Sequence, residues 1–516
     1  MARRSPGHPR PDGVPSSAPS SAPSSAPEAG ATPLPARFTL ALDPDTELID
    51  GGRVVLGGSP LRLLRLSEEG AALLGRWQGG QPVGDRRAAG LLARRLVRAG
   101  AAHPRPPQDP DVRATVVIPV HDRPEALARV LADLAGEPGV AEVVVVDDGS
   151  ADPDRVVAVA RAGGARVVRL AENRGPSAAR NAGAAAATTP LVVFVDSDCR
   201  AEPGWLLPLL AHFADPLVGA AAPRIVARTD VPGWWTRYEV ARSPLDRGDR
   251  EAPVRPRSRV PFVPSAAVAV RRDALDGGGF DEALRGGEDV DLVWRLVEAG
   301  WDVRYVPSAR VGHEPRATLV EWATRRAFYG ATAGPLARRH PGQLMPASVS
   351  AWSATTWGLL AARRPGWAVL SAGVAAGVLA RRLSGVVAEP VPLAGRIVAR
   401  GTVQAALPTT EGLVRAWGPA VVAALTVRRL RPYALAALVG PALDEWRRTR
   451  PPLDPVRYTL AHVADDLAYS VGVWAGCLRA RTLQPVIPEI VVRAREWSRA
   501  GVGPAPPAGP APGPPS

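Results

Sequence analysis

Val143-Val-Val-Val-Asp-Asp-Gly-Ser150 and Leu191-Val-Val-Phe-Val-Asp-Ser-Asp198 decide the fold of this 516-residue chain. Each is a short apolar run stopped by acidic turn residues, the pattern of a strand buried on both faces of a parallel sheet. Thr115 to Val120 and Val167 to Leu170 read as further strands, and Glu125 to Ala135 as a helix with Leu127, Val130, Leu131 and Leu134 inward. Strand and helix alternate from residue 112 to about 320, so we expect a Rossmann-like α/β domain. Ligands bind at the carboxyl ends of such strands. Both acidic loops therefore fall on one sheet edge, and Gly287-Glu288-Asp289 opens a later helix with one more acidic pair. No GxGxxG follows the first strand, which argues against a dinucleotide dehydrogenase.

Several residues have both a chemical and a plain reading. Asp196 and Asp198 form the oxygen pair that Mg²⁺ or Mn²⁺ takes, with water and a diphosphate completing the shell. Asp147-Asp148-Gly149-Ser150 is ordinary turn chemistry, and its carboxylates also suit a uracil N–H. The chain has two asparagines, Asn173 and Asn181, and both lie in Asn173-Arg-Gly-Pro-Ser-Ala-Ala-Arg-Asn181. Arg174 and Arg180 there suit a diphosphate, against helix capping and surface charge as the alternative. Glu288 and Asp289 complement a helix dipole or supply one more carboxylate to the site. His313 is structural, or a neutral imidazole that ligates metal.

Every one of the 63 basic residues is Arg, and the net charge is +13. No basic stripe with a reading module is visible, so nucleic acid is not an expected partner. Cys199 and Cys477 make no metal or disulfide framework, which suits a reducing cytoplasm. No secretory signal is apparent. Residues 1–35 and 504–516 are Pro-, Ser- and Ala-rich and read as disordered tails. Residues 36–104 read as a winged-helix-like unit suited to peptide recognition, with Ser67 capping a helix and Phe38–Leu42 or Arg53–Leu56 as the edge offered. Its Arg-rich second helix leaves DNA binding as a minor alternative. Residues 321–503 form a helical extension, whose charge-free stretches at 341–362, 365–380, 416–427 and 432–443 read either as buried helices or as helices lying on a membrane.

The set resembles family 2 inverting glycosyltransferases of the GT-A fold. The matching motifs are Val117-Ile-Pro-Val-His-Asp122, Val146-Asp-Asp-Gly-Ser150, Asn173-Arg-Gly through Ala179-Arg-Asn-Ala-Gly183, Val195-Asp-Ser-Asp198 and Gly286-Gly-Glu-Asp-Val-Asp-Leu-Val-Trp-Arg295. Gly57-Gly-Ser-Pro-Leu-Arg62, the Arg224–Pro264 insert and the segment Tyr329 to His340 add likeness to members that glycosylate a peptide-derived redox cofactor. The resemblance implies a nucleotide-diphospho-sugar transferase moving glucose from UDP-glucose into a β-1,4-linked chain. It places the nucleotide sugar at Asp122, Asp147, Asp148, Asn173, Arg174, Arg180 and Asp196, a divalent metal at Asp196, Asp198 and His313, the general base at Asp289, and the acceptor beside Glu288 and Trp322. Processive members carry Gln-x-x-Arg-Trp where this chain reads Trp322-Ala-Thr-Arg-Arg-Ala-Phe-Tyr329. Two rivals are a membrane-associated transferase acting on a lipid or envelope polysaccharide, and a non-catalytic peptide- or glycan-binding scaffold. The expected place is the cytoplasm, at the inner membrane face with its anionic lipids.

Overall fold

The computed structural model describes residues 32–109, 111–228, 233–314 and 318–492; nearly all of the first expected tail and the whole of the second lie outside them. At the centre is a sheet in the order Cys199–Ala201, Asp302–His313, Val218–Ala227, Ala267–Arg271, Leu191–Val195, Ala114–Val120, Val140–Asp148, Arg166–Leu170. The expected strands are all present. The last four of that order run parallel, but Ala267–Arg271 is antiparallel to both of its neighbours, so the sheet is mixed rather than purely parallel. Periodicity carries no strand direction, which is why the reversal is invisible in the sequence. Leu127, Val130, Val156 and Leu206 pack on one face; Ala179, Val290, Val293 and Leu296 pack on the other.

In the N-terminal unit, Glu47–Ile49, Val54–Gly57 and Arg62–Arg65 form an antiparallel meander, and Thr39–Leu42 pairs with Ala102–Arg105. Ser67 Oγ accepts from Gly70 N at 3.1 Å and starts the helix Glu68–Gln78. Gly100, at φ 73°, ends the helix Arg87–Ala99. Two arginines of that helix face the domain of the central sheet, not solvent. Arg94 is buried and donates to Asp215 (Nη2 to Oδ1, 2.7 Å) and to Asp302 at 3.3 Å; Arg98 donates to Asp302 at 3.0 Å. Breaking a buried pair strands a charge, so these contacts fix the unit against the sheet.

The extension is helical: Leu319–Ala331, Ala333–Arg339, Ala351–Ala361, Pro365–Leu383, Pro390–Ala424, Arg431–Thr449 and Pro455–Ala480. The stretch 341–362 is not one span; it breaks into the strand Ser348–Ser350 and an 11-residue helix. Pro390–Ala424 is interrupted at Trp417, two residues before Pro419. Among the described residues, no helix is long and apolar enough to cross a membrane. Pro455–Ala480 lies in backbone contact with the first two helices of the extension. A Cβ on Gly330 would collide with the Tyr469 carbonyl, and one on Gly472 with the Ala327 carbonyl; Gly334 and Gly476 repeat this a turn later. The seam carries Asp465 and Tyr469 up to the sheet edge.

Candidate active site

At the carboxyl ends of the parallel strands opens a cavity of about 1780 Å³. All three parts of the chain line it: Ser59–Arg62 and Arg98 from the N-terminal unit, the acidic loops, and Arg415, Asp465 and Tyr469 from the extension. Ligand pockets commonly occupy roughly 300–1,000 Å³, so this one has room for two substrates.

The first acidic loop folds back on itself. Asp147 is fully buried; one oxygen accepts from Ser150 N at 3.0 Å, and the other has no hydrogen-bond partner among the described residues. Asp148 accepts from the backbone N–H groups of Arg174 and Gly175, both at 2.8 Å. Gly149 has φ 70°, and a Cβ there would press into Glu172 and Asn173. Asp122 accepts from Ala151 N at 2.8 Å, and Ser150 Oγ accepts from Asp122 N at 3.0 Å. Asp148 and Asn173 line the cavity; Asp147, buried, and Asp122, exposed, lie outside that lining and tie the loops together. The Arg174 guanidinium points away to Glu282 at 2.7 Å, and Asn181 ties the Phe280 backbone rather than entering the cavity.

Arg180 joins the second and third clusters. It is buried, donates to Asp196 at 2.6 Å and to Glu288 at 3.4 Å, and stacks on Phe280. Asp198 meets Arg123 at 3.0 Å and His313 Nε2 at 3.6 Å, because the strand ending at His313 pairs with the strand starting at Cys199. Asp196, Asp198 and His313 thus present two carboxylates and an imidazole to the cavity, a donor set that suits Mn²⁺ or Mg²⁺ with open positions for a diphosphate. Among the described residues, the acidic group whose ligand atoms all lie within 4.8 Å of one another is a different one, Glu411, His462 and Asp466, and it already faces a cation: Arg242 pairs with Glu411, Glu445 and Asp465.

Asp289 stands at the N-terminus of the helix Glu288–Glu298 and lines the cavity. It accepts from Val290 N at 2.8 Å. Burial first, then the Glu288 carboxylate, push its carboxyl from 3.8 up to about 6. A carboxylate with a pKa near the working pH is fitted to take a proton. Gly286 and Gly287 make this possible locally. Phe328 and Leu336 press so close that neither position has space for a side chain, and Gly287 is left-handed at φ 78°.

Trp322 corrects an expectation. It is 3% exposed, its indole N–H donates to Glu239 at 2.7 Å, and it packs on Trp235 outside the cavity. Its helix turns that face inward because Arg326, one turn on, is drawn to the same Glu239 at 2.5 Å and to Asp465 at 2.7 Å. The aromatic lining comes instead from Phe262, Trp294, Phe328, Tyr329 and Tyr469. Arg247 lies over Phe262 at 4.1 Å and Arg325 over Tyr329 at 5.3 Å. Sequence reading missed these. Trp294 lies in the motif Gly286–Arg295 and Tyr329 opens the segment to His340, the Arg224–Pro264 insert was the only signal for Phe262 and Arg247, and nothing local marks Tyr469.

Residues 115–279 match the family described as Glycosyl transferase family 2. The pre-mycofactocin glycosyltransferase of Mycobacterium tuberculosis is 42% identical over 474 residues, covering 89% of this chain and 99% of that protein. Human polypeptide N-acetylgalactosaminyltransferase 15 is 31% identical over 239 residues, 40% of this chain and 36% of its own length. Among solved structures, the mannosyltransferase PcManGT of Pyrobaculum calidifontis, in complex with GDP-Man and Mn²⁺, has a TM-score of 0.41 at 19% identity, covering 71% of this chain and 89% of that one. With a family match over the sheet and a relative alike across nearly its whole length, this chain belongs to glycosyltransferase family 2, on the GT-A fold.

Proposed function

We propose that this enzyme is a metal-dependent, inverting hexosyltransferase that moves glucose from UDP-glucose onto a peptide-derived redox cofactor, pre-mycofactocin, and extends it as a β-1,4-linked chain. The observation that carries the reading is Asp289, held near a pKa of 6 in the same cavity as Asp196 and Asp198. The extended similarity to the pre-mycofactocin glycosyltransferase supports the acceptor class.

In this scheme Asp148 and Asn173 face the nucleotide, while Asp122 and Asp147 hold their loops and the backbone of Arg174 closes the pocket. Asp196, Asp198 and His313 would hold a divalent cation, which would supply neutralising charge for the departing diphosphate. Arg180 adds fixed positive charge behind Asp196. Asp289 takes the proton of an acceptor hydroxyl as that oxygen bonds to the anomeric carbon. The bond from that carbon to the diphosphate oxygen breaks, UDP leaves with the electron pair, and the α-linked donor becomes a β-linked product. Glu288 lies beside the incoming hydroxyl and keeps the Asp289 proton affinity high. The N-terminal unit is assigned to acceptor recognition.

The deciding experiment incubates the enzyme with pre-mycofactocin and an array of UDP-sugars, then weighs the products. Successive hexose additions from UDP-glucose are expected. Sugar transfer to a lipid or polysaccharide fraction in place of pre-mycofactocin would overturn the acceptor assignment.

A second observation favours a place of work at an anionic membrane surface. The helix Pro365–Leu383 exposes Trp367 (60%), Val369 (73%) and Leu370 (54%), and is bracketed by Arg363, Arg364, Arg381 and Arg382. Apolar side chains flanked by arginines suit an interfacial helix, each Arg contributing about 1 kcal/mol near anionic lipid. High salt is expected to release the enzyme from phosphatidylserine vesicles. Retention through salt and alkaline carbonate would contradict a peripheral contact.

A further inference from the structure

The turn between Val54–Gly57 and Arg62–Arg65 belongs to the N-terminal unit, yet Ser59, Pro60, Leu61 and Arg62 line the catalytic cavity with Asp198 and Asp289. The turn is held from two sides. Gly58 has φ 89°, and a Cβ there would collide with the Ala99 carbonyl, so the chain passes against the end of the helix Arg87–Ala99. Ser59 N donates to Ala99 O at 3.3 Å. Ser59 Oγ accepts from Arg259 N at 2.7 Å, and the Arg259 guanidinium reaches back to Asp43 at 3.0 Å and Asp45 at 2.9 Å. The turn is therefore placed before any ligand arrives.

At its tip, Leu61 is 58% exposed, although Val54, Val55 and Leu56 on the preceding strand are buried. An apolar side chain on a braced turn, facing a cavity, is available for a ligand and contributes little to the core. The same cavity carries Phe262 with Arg247 stacked on its ring, and the segment Arg255–Ser258. Arg255 and Arg257 are already paired with Asp302 and Glu489, so what this lining offers is apolar and aromatic surface, with Arg247 stacked on Phe262. It suits an apolar, ring-bearing head better than a sugar, whose hydroxyls need free carboxylate and amide partners.

We propose that the Gly58–Arg62 turn is a wall of the acceptor subsite and that Leu61 is a specificity-determining residue for the non-sugar head of the acceptor. The proposal rests on the transfer reaction inferred above. It moves the N-terminal unit's contribution from an edge strand, where peptide-recognition folds bind, to a turn inside the active site.

The test compares wild type with Leu61→Ala and Leu61→Glu, using pre-mycofactocin as acceptor and UDP-glucose as donor. Leu478→Ala serves as control, since Leu478 is 73% exposed and outside the cavity. Loss of a buried aliphatic contact is worth roughly tenfold or more in discrimination. The acceptor KM for the first glucose is expected to rise about tenfold in Leu61→Ala and further in Leu61→Glu, with kcat at saturating acceptor and the UDP-glucose KM moving less than about twofold. Addition of later glucose units, whose acceptor end is sugar, should be affected less. An unchanged acceptor KM, or a change in the donor KM alone, would overturn the proposal while leaving the reaction intact. If wild type transfers no sugar to pre-mycofactocin, the reaction assignment itself falls, and this one with it.

Discussion

The acidic-loop half of the cavity and its far half are built on opposite principles. Asp148, Asp196 and Asp198 sit at or just beyond strand ends, where Asp148 is held by the backbone of Arg174 and Gly175, Asp196 by Arg180 and Asp198 by Arg123. In the far half, Tyr238 bonds Asp465 across 227 residues of chain, and Glu239 bonds Arg326 across 87. The outer brace of the N-terminal unit, Arg94 to Asp215, spans 121. One half places its carboxylates on the cavity wall, outside the apolar clusters of the sheet. The other consists of buried charges that exist only in pairs. Substitution should therefore separate the two: loss of chemistry with the fold kept in the first, loss of fold in the second.

Four measurements sharpen or break that contrast. The largest effect is expected for Asp198→Ala, or for excess chelator on wild type: transfer falls below detection, the thermal midpoint is unchanged, and Mn²⁺ restores only the chelated enzyme. Full turnover in chelator would remove the metal from the scheme. Next, Asp289→Asn keeps the shape of the side chain and should retain UDP binding while transfer drops by roughly two to four decades. A variant that lost UDP affinity yet turned over normally at saturation would make Asp289 a binding residue.

Third, Arg326→Met leaves Glu239 and Asp465 buried without their shared partner, and a broken buried pair costs about 3–5 kcal/mol. Denaturant melts should show that loss; a variant as stable as wild type would dissolve the contrast between the halves. The smallest effect is the pH profile. Burial raises the Asp289 pKa to about 6, so acid removes the base form and alkali restores it. The ratio kcat/KM should fall about tenfold per pH unit below that value and level off above it. A profile flat to roughly pH 4 would contradict Asp289 as the base.

Much of the acidic-loop half was legible because its information is local. Apolar runs stopped by Asp-Asp-Gly-Ser and Asp-Ser-Asp gave strands and loops together, and Asn173 emerged from composition alone. The burial of Arg180 was not legible, since its partners Asp196 and Glu288 arrive from different elements. The same reason hid the far half. Trp322 lies on a helix whose inward face is chosen by Glu239, a residue in an insert with no motif. Arg94 and Arg98 read as an exposed basic helix face, because nothing near them in sequence announces Asp215 and Asp302. Removing residues 1–104 would leave Asp215 without Arg94, so a truncated chain cannot report on acceptor binding alone.

The glycine seam fixes the order in which this enzyme can become an enzyme on the ribosome. The sheet closes when the strand ending at His313 emerges, and the acidic loops are then complete. The rear wall waits for Asp465 and Tyr469, roughly 150 residues later, which at about 5–20 residues per second is on the order of ten to thirty seconds. During that interval Arg326 has Glu239 but no Asp465, and the cavity stands open to water. The helix Pro455–Ala480 then seats by backbone contact along Gly330, Gly334, Gly472 and Gly476, while Tyr458 packs against Tyr238 and Trp474 against Trp417. Catalytic competence is thus tied to the helix Pro455–Ala480, and a message cut short before Pro455 yields a nucleotide-loop domain with no rear wall to its cavity.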